Sequence, residues 1–132
     1  MFISNSVEDK SRAYENLGRV YARNGKFQEA INVWEQKLPL ATNDIEKAWL
    51  FHEIGRCYLE LGHNEKACDY GNKSLDAAKA INDEIWQLNA TVLIAQSEAK
   101  MGDIDNMISA IEHFEASLEM TKKQSKYIFD LL

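Results

Sequence analysis

Apolar side chains return along the first stretch of the chain at Tyr14, Leu17, Val20 and Tyr21, the i, i+3, i+6, i+7 spacing of one helical stripe. Asn24-Gly25 follows, a pair suited to the left-handed backbone that ends a helix, and a second stripe then runs through Phe27, Ala30, Ile31 and Trp34. The pattern predicts two amphipathic helices joined by a short turn. It recurs: Tyr14, Leu17, Gly18, Tyr21, Gly25, Phe27, Ala30 and Trp34 reappear 37 positions later as Phe51, Ile54, Gly55, Tyr58, Gly62, Asn64, Ala67 and Gly71. A weaker third copy passes through Thr91, Ile94, Ala95, Gly102 and Ile104, and reaches Ala110 and Phe114 if its second helix holds three extra residues. Helices are therefore predicted over 8–24, 27–41, 45–61, 64–81, 83–101 and 104–124, forming hairpins 8–41, 45–81 and 83–124 of a single domain 1–132, with a seventh, capping helix starting at 125. The fold class is all-α, an α-solenoid of three helical hairpins.

A glycine within a helix costs up to about 1 kcal/mol relative to alanine, so its return at one register implies a steric need. Gly18 with Ala30, Gly55 with Ala67, and Ala95 with Ala110 are read as notches that let two helix axes of one hairpin approach closely. Trp34 is expected in the core of the first hairpin, and Trp49 and Trp86, which open the first helices of copies two and three, are expected to seal contacts between hairpins. Pro39 is expected to kink or stop its helix early.

Composition narrows the class. Hydrophobic residues make up 45% and charged residues 27%, with one Pro and six Gly, which disfavours disorder and turn-dense β folds. A net charge of -6 argues against nucleic acid as a partner. Cys57 and Cys68 form no CxxC pair and are expected to be packed, reduced thiols of a cytosolic or nuclear compartment. No apolar run has the length of a membrane span and no signal-peptide pattern is present. The closing run Tyr127, Ile128, Phe129, Leu131 and Leu132 reads as a helix cut off midway, as in a piece of a longer protein, and offers a surface for self-association.

The pattern aromatic-x-x-Leu-Gly-x-x-Tyr, a turn glycine, then aromatic, alanine and aromatic resembles the tetratricopeptide repeat, whose unit is 34 residues. The resemblance covers about residues 11–124. Departures are Gly71 in place of an aromatic, and Lys37 and Ser74 where the family favours alanine. The strings "IGRCYLELG", "GRVYARNGKFQEAI", "AWLFHEIGRCYLE" and "WQLNATVLIAQSEAK" exceed what the generic consensus demands. They are similar to the C-terminal repeats of the tetratricopeptide subunits of ciliary outer dynein arm docking complexes. That resemblance implies a cytoplasmic and axonemal scaffold that helps anchor outer dynein arms to doublet microtubules and binds an acidic or helical segment of a docking-complex or dynein-arm component.

Repeat solenoids present the first helices of successive hairpins on a concave side. Candidates to meet a partner there are Arg12, Glu15, Arg19 and Arg23 from the first copy, Trp49, His52, Glu53, Arg56 and Glu60 from the second, and Asn89, Gln96 and Lys100 from the third. Arg19, Arg56 and Gln96 share one repeat position, so stacking places them in a row that predicts a basic, hydrogen-bonding groove for an acidic segment. The plainer reading is that the arginines are solvated and paired within their own helices. Relatives that grip a carboxylate-ended chaperone tail use Lys and Asn at positions held here by Glu15, Arg19, Glu53, Asn89 and Leu93. Two acids there would repel it.

Catalysis is not expected. His52, His63 and His113 are scattered, none at metal-ligand spacing, and no phosphate-cradling loop or nucleophile elbow is present. No cofactor or metal is implied. The alternatives to a ciliary docking scaffold are a structural or self-associating solenoid segment and a peptide-binding adaptor of another cytoplasmic complex.

Overall fold

The computed structural model describes residues 6–131, with side chains to residue 126. Among these residues are six helices: α1 (Val7–Arg23), α2 (Phe27–Lys37), α3 (Asp44–Glu60), α4 (Asn64–Ala80), α5 (Glu84–Met101) and α6 (Ile104–Leu131). No strand occurs among the described residues. Each first helix opens on a polar side chain that accepts one of its free N–H groups: Ser6 from Asp9, Asn43 from Glu46 and Asp83 from Trp86. The three hairpin turns place Gly25, Gly62 and Gly102 at φ of 77°, 82° and 80°, a conformation cheap only without a Cβ. Asn82, at φ 54°, makes the equivalent turn between α4 and α5, a use of asparagine's tolerance for the left-handed region that the glycine pattern did not reveal.

Two boundaries differ from expectation. The second helix stops at Lys37 rather than 41, the early stop expected of Pro39, and passes into a 3-10 turn, Leu38–Leu40. Pro39 supplies no N–H and crowds the backbone before it, so the α ladder ends there. The third hairpin's second helix does not end at 124. α6 runs unbroken through Leu131, because nothing near Ser125 breaks a helix and Lys122, Lys123, Gln124 and Lys126 are all good formers. The side chains of Tyr127, Ile128, Phe129, Leu131 and Leu132, expected as an apolar docking stretch, lie outside the described residues.

The hairpins stack in order, α3 packing on α2, and α5 on α3 and α4. The main core joins Ile31 and Trp34 of α2, Leu50, Ile54 and Cys57 of α3, and Leu93 of α5. The small residues sit at the closest approaches. A Cβ on Gly18 would lie 2.2 Å from Nε1 of Trp34, so the indole itself fills that notch, while Gly55 backs onto the Ala67 carbonyl at 3.3 Å from such a Cβ. Ala30, Ala67, Ala95 and Ala110 are buried. Gly71, where an aromatic was expected, gives its space to Ile94 of α5, whose Cγ1 would meet a Cβ at 2.8 Å.

Lys37 and Ser74, 37 positions apart, put polar groups where the repeat favours alanine. The buried Lys37 ammonium donates to the Ser11 hydroxyl of α1 and, at 3.0 Å, to Oε1 of Glu46 on α3. Ser74 donates to the carbonyl of Ala48 at 2.8 Å. In the third hairpin Glu98 of α5 accepts from Ser109 and meets Nδ1 of His113 at 2.7 Å, both on α6. Every buried polar group among these has a partner, the condition under which burial is tolerated.

Candidate functional site

The first helices α1, α3 and α5 line a trough with two connected parts. The smaller part, about 340 Å³, lies between α1 and α3 and is bordered by Arg19, Arg23, Trp49, Glu53, Arg56 and Glu60. The larger, about 830 Å³, lies among α3, α5 and α6, where Arg56 and Glu60 again form a wall facing Asn89, Gln96 and Lys100. Arg56 is shared by both, and helical stacking at one repeat register explains why: Arg19, Arg56 and Gln96 project from successive first helices.

The charges in the trough are unevenly paired. Arg19 forms an ion pair with Glu15 at 3.1 Å, the within-helix pairing of the plainer reading, and its guanidinium lies 5.0 Å from the centroid of the Trp49 ring, a cation–π placement. Arg23 and Arg56 are exposed and, among the described residues, form no ion pair or side-chain hydrogen bond. Arg19, Arg23, Arg56 and Lys100 make four cations against the two carboxylates Glu53 and Glu60 along the two linings, on a chain whose net charge is -6. A surface of this kind attracts acidic segments and repels basic ones.

The structure does not gather every candidate. Arg12 pairs with Asp9 at 3.9 Å and borders a separate depression with Ser11, Lys37 and Glu46, and Glu15 faces the same depression. Glu15 sits one turn and Arg12 two turns before Arg19 on α1, and neither borders the trough. Trp49 does both things open to it: its ring meets Trp34 edge-on at 5.7 Å, sealing α2 to α3, while its other side borders the smaller part. His52 is half-buried, hydrogen-bonded to Glu53 at 3.2 Å and set against the Trp86 ring at 5.4 Å, so it joins hairpins as much as it lines the trough. Trp86 packs over Ala48, Ala77 and Ala78. Sequence reasoning missed the apolar wall that α5 and α6 supply through Leu88, Val92, Phe114 and Leu118. The signal lay in the third copy, where Phe114 and Leu118 continue the apolar stripe of the second helix.

Burial pushes the Cys57 thiol up to about 12 and raises that of Cys68 as well, so both are protonated at neutral pH and neither has the thiolate character of a reactive cysteine. Among the described residues no group of three His, Cys, Asp or Glu side chains is placed to hold a metal ion, and no helix is long and apolar enough to cross a membrane.

Stacked two-helix units, glycine turns and a concave face of first helices define a helical-repeat protein. The pattern of the tetratricopeptide repeat matches residues 9–80, and the chain belongs to that family. It is 61% identical over 116 residues to outer dynein arm-docking complex subunit 4 of Danio rerio, which covers 88% of this chain and 23% of that protein. The counterpart in Xenopus laevis is 56% identical over 116 residues, covering 88% of this chain and 21% of that protein, and the one in Homo sapiens is 55% identical over 113 residues, covering 86% and 16%. The chain thus spans about a fifth of the length of these relatives.

Proposed function

We propose that this chain is a non-catalytic protein-binding scaffold that contributes to docking outer dynein arms on axonemal doublet microtubules. The observation that carries the binding mode is the pair of exposed guanidinium groups of Arg23 and Arg56, without an ion pair among the described residues, in a trough whose lining is basic on an acidic protein. Arginine's planar fork binds carboxylates two bonds at a time, so the occupant is an acidic segment, extended or helical, of a docking-complex or dynein-arm component. The docking role rests on the likeness to subunit 4 of such complexes. Work of this sort places the protein in the cilium.

The test is capture of interacting proteins from ciliated-cell extract by the purified chain, wild type against Arg19→Glu/Arg56→Glu. Docking-complex or outer-arm components retained by the wild type, and lost in the double variant at unchanged helicity, are expected. Capture that yields no such component removes the docking role; capture that is equal for both proteins removes the trough as the binding surface.

A further inference from the structure

The last turns of α1, α3 and α5 carry charges that alternate in sign. Arg23 closes α1 and Glu60 closes α3, while Lys100 stands one residue before the end of α5. Glu60 follows Arg23 by the 37 positions that separate Arg19 from Arg56, and Lys100 follows Glu60 by the 40 that separate Arg56 from Gln96. The three therefore share one repeat position, one turn beyond the row of Arg19, Arg56 and Gln96. All three are exposed, and among the described residues none has an ion pair or a side-chain hydrogen bond. Arg23 borders the smaller part of the trough, Lys100 the larger and Glu60 both. The row thus crosses the trough in the order positive, negative, positive.

Glu60 is the member that local structure disfavours. The C-terminal end of a helix carries partial negative charge, which suits Arg23 and Lys100 and opposes a carboxylate. Of these three helices, α3 alone lacks a basic side chain in its last turn. Arg56, one turn earlier, stands at i, i+4 from Glu60 and does not pair with it. The remaining charges of the two linings are engaged: Arg19 is held by Glu15 at 3.1 Å and lies against the Trp49 ring, and Glu53 is bonded to His52 at 3.2 Å. Arg23, Arg56, Glu60 and Lys100 are left to meet a partner.

Resting on the reading of the trough as a protein-binding surface, we infer that its occupant is an extended segment with an acid, a base and an acid at every third residue. Asp or Glu meets Arg23, Lys or Arg meets Glu60, and Asp or Glu meets Lys100. Helices stacked side by side lie about 10 Å apart, and three residues of extended chain rise about 10 Å, so one segment laid across the helices sets a side chain against each charge. The smaller part, about 340 Å³, takes about three residues of extended chain. It does not take the two turns, about 10–12 Å across, in which a helix would cover the same distance. A run of acids alone meets Glu60 with like charge, so the row separates mixed-charge segments from uniformly acidic ones.

Two seven-residue peptides test this, both with glutamate at each end and serine or threonine as spacers, one with lysine at its centre and the other with glutamate. Chemical-shift titration of the isotope-labelled chain at low salt gives each dissociation constant. The wild type is expected to bind the lysine-centred peptide about threefold tighter, although that peptide brings less negative charge to a basic lining, and Glu60→Lys is expected to reverse the order. Glu60 is exposed, so circular dichroism of the variant should match the wild type. A wild type that prefers the glutamate-centred peptide, that binds neither, or whose preference survives Glu60→Lys overturns the inference. Titration of Arg19→Glu/Arg56→Glu separates that failure from failure of the underlying reading. A glutamate-centred peptide favoured by the wild type and lost in this variant leaves an acidic occupant standing without the alternation, whereas equal binding of both peptides to wild type and variant removes both.

Discussion

Trp34 occupies the space that Gly18 leaves empty: its indole N–H donates to the Glu15 carbonyl at 3.3 Å, and the ring lies where a Cβ on Gly18 would come within 2.2 Å. Helix α1 is thereby bound to α2 along a line where any side chain at position 18 would collide with a fixed ring.

Gly18→Ala should destabilise the domain although alanine is the better helix former by about 1 kcal/mol. Displacing the indole costs more than that gain, in the range of about 1–3 kcal/mol for overpacking, and it also strains the bond to Glu15. Urea unfolding measures the difference, and a variant as stable as the wild type would remove the steric explanation. The same substitution with Trp34→Leu should cost less than the sum of the two changes, because the collision is gone.

Glu46 links pH to stability. Its carboxyl is held below the ordinary 4.5, first by the Thr42 N–H, which donates at 3.0 Å, and further by Lys37, against an opposing effect of burial. A depressed carboxylate contributes stability that is fully present above its unfolded value and is lost as pH falls through the folded one. Denaturation midpoints taken from neutral pH down to about pH 3 should fall less steeply for Glu46→Gln than for the wild type. Parallel acid limbs would contradict the assignment.

Lys37 and Ser74 occupy one repeat position yet should respond differently to alanine. Ser74→Ala removes one buried hydroxyl bond to Ala48 and should cost about 1 kcal/mol. Lys37→Ala empties the volume of a buried four-carbon stem and leaves Ser11 and Glu46 without their shared donor, so its cost should be larger, about 2 kcal/mol or more. Equal losses in thermal unfolding would show that the Lys37 network contributes little.

Arg12 serves as an internal control for the binding site. It lies in a different depression from Arg23 and Arg56, so Arg12→Glu should leave partner capture unchanged whereas Arg23→Glu/Arg56→Glu should lower it at least about tenfold, the effect of losing two charge-assisted pairs. If all three reversals act alike, net charge and not the trough governs binding.

Much of this was legible in the residues because the repeat is stated twice with little noise. Gly25, Gly62 and Gly102 mark their turns without ambiguity, and Tyr14, Leu17 and Tyr21 keep a helical spacing that Phe51, Ile54 and Tyr58 echo. The misplaced boundaries have local causes. Periodicity alone did not resolve that Pro39 ends α2 at Lys37, and no breaker separates α6 from residues after 124. The site was legible as a register, Arg19 with Arg56 and Gln96, but not as an outline. Arg12 shares a helix with Arg19 and differs only in its height along α1, which depends on where α3 crosses. Lys37 looked like a departure from consensus because its partners, Ser11 and Glu46, lie on two other helices.

Chemical-shift mapping reports most directly on whether the concave trough is the binding surface. The isotope-labelled chain would be titrated with the shortest acidic segment of the captured component that still binds. The account predicts perturbations at Arg19, Arg23, Trp49, Arg56 and Gln96, weakening as salt is raised. Perturbations confined to the second helices, around Gln36, Asp69 and Lys73, would contradict it.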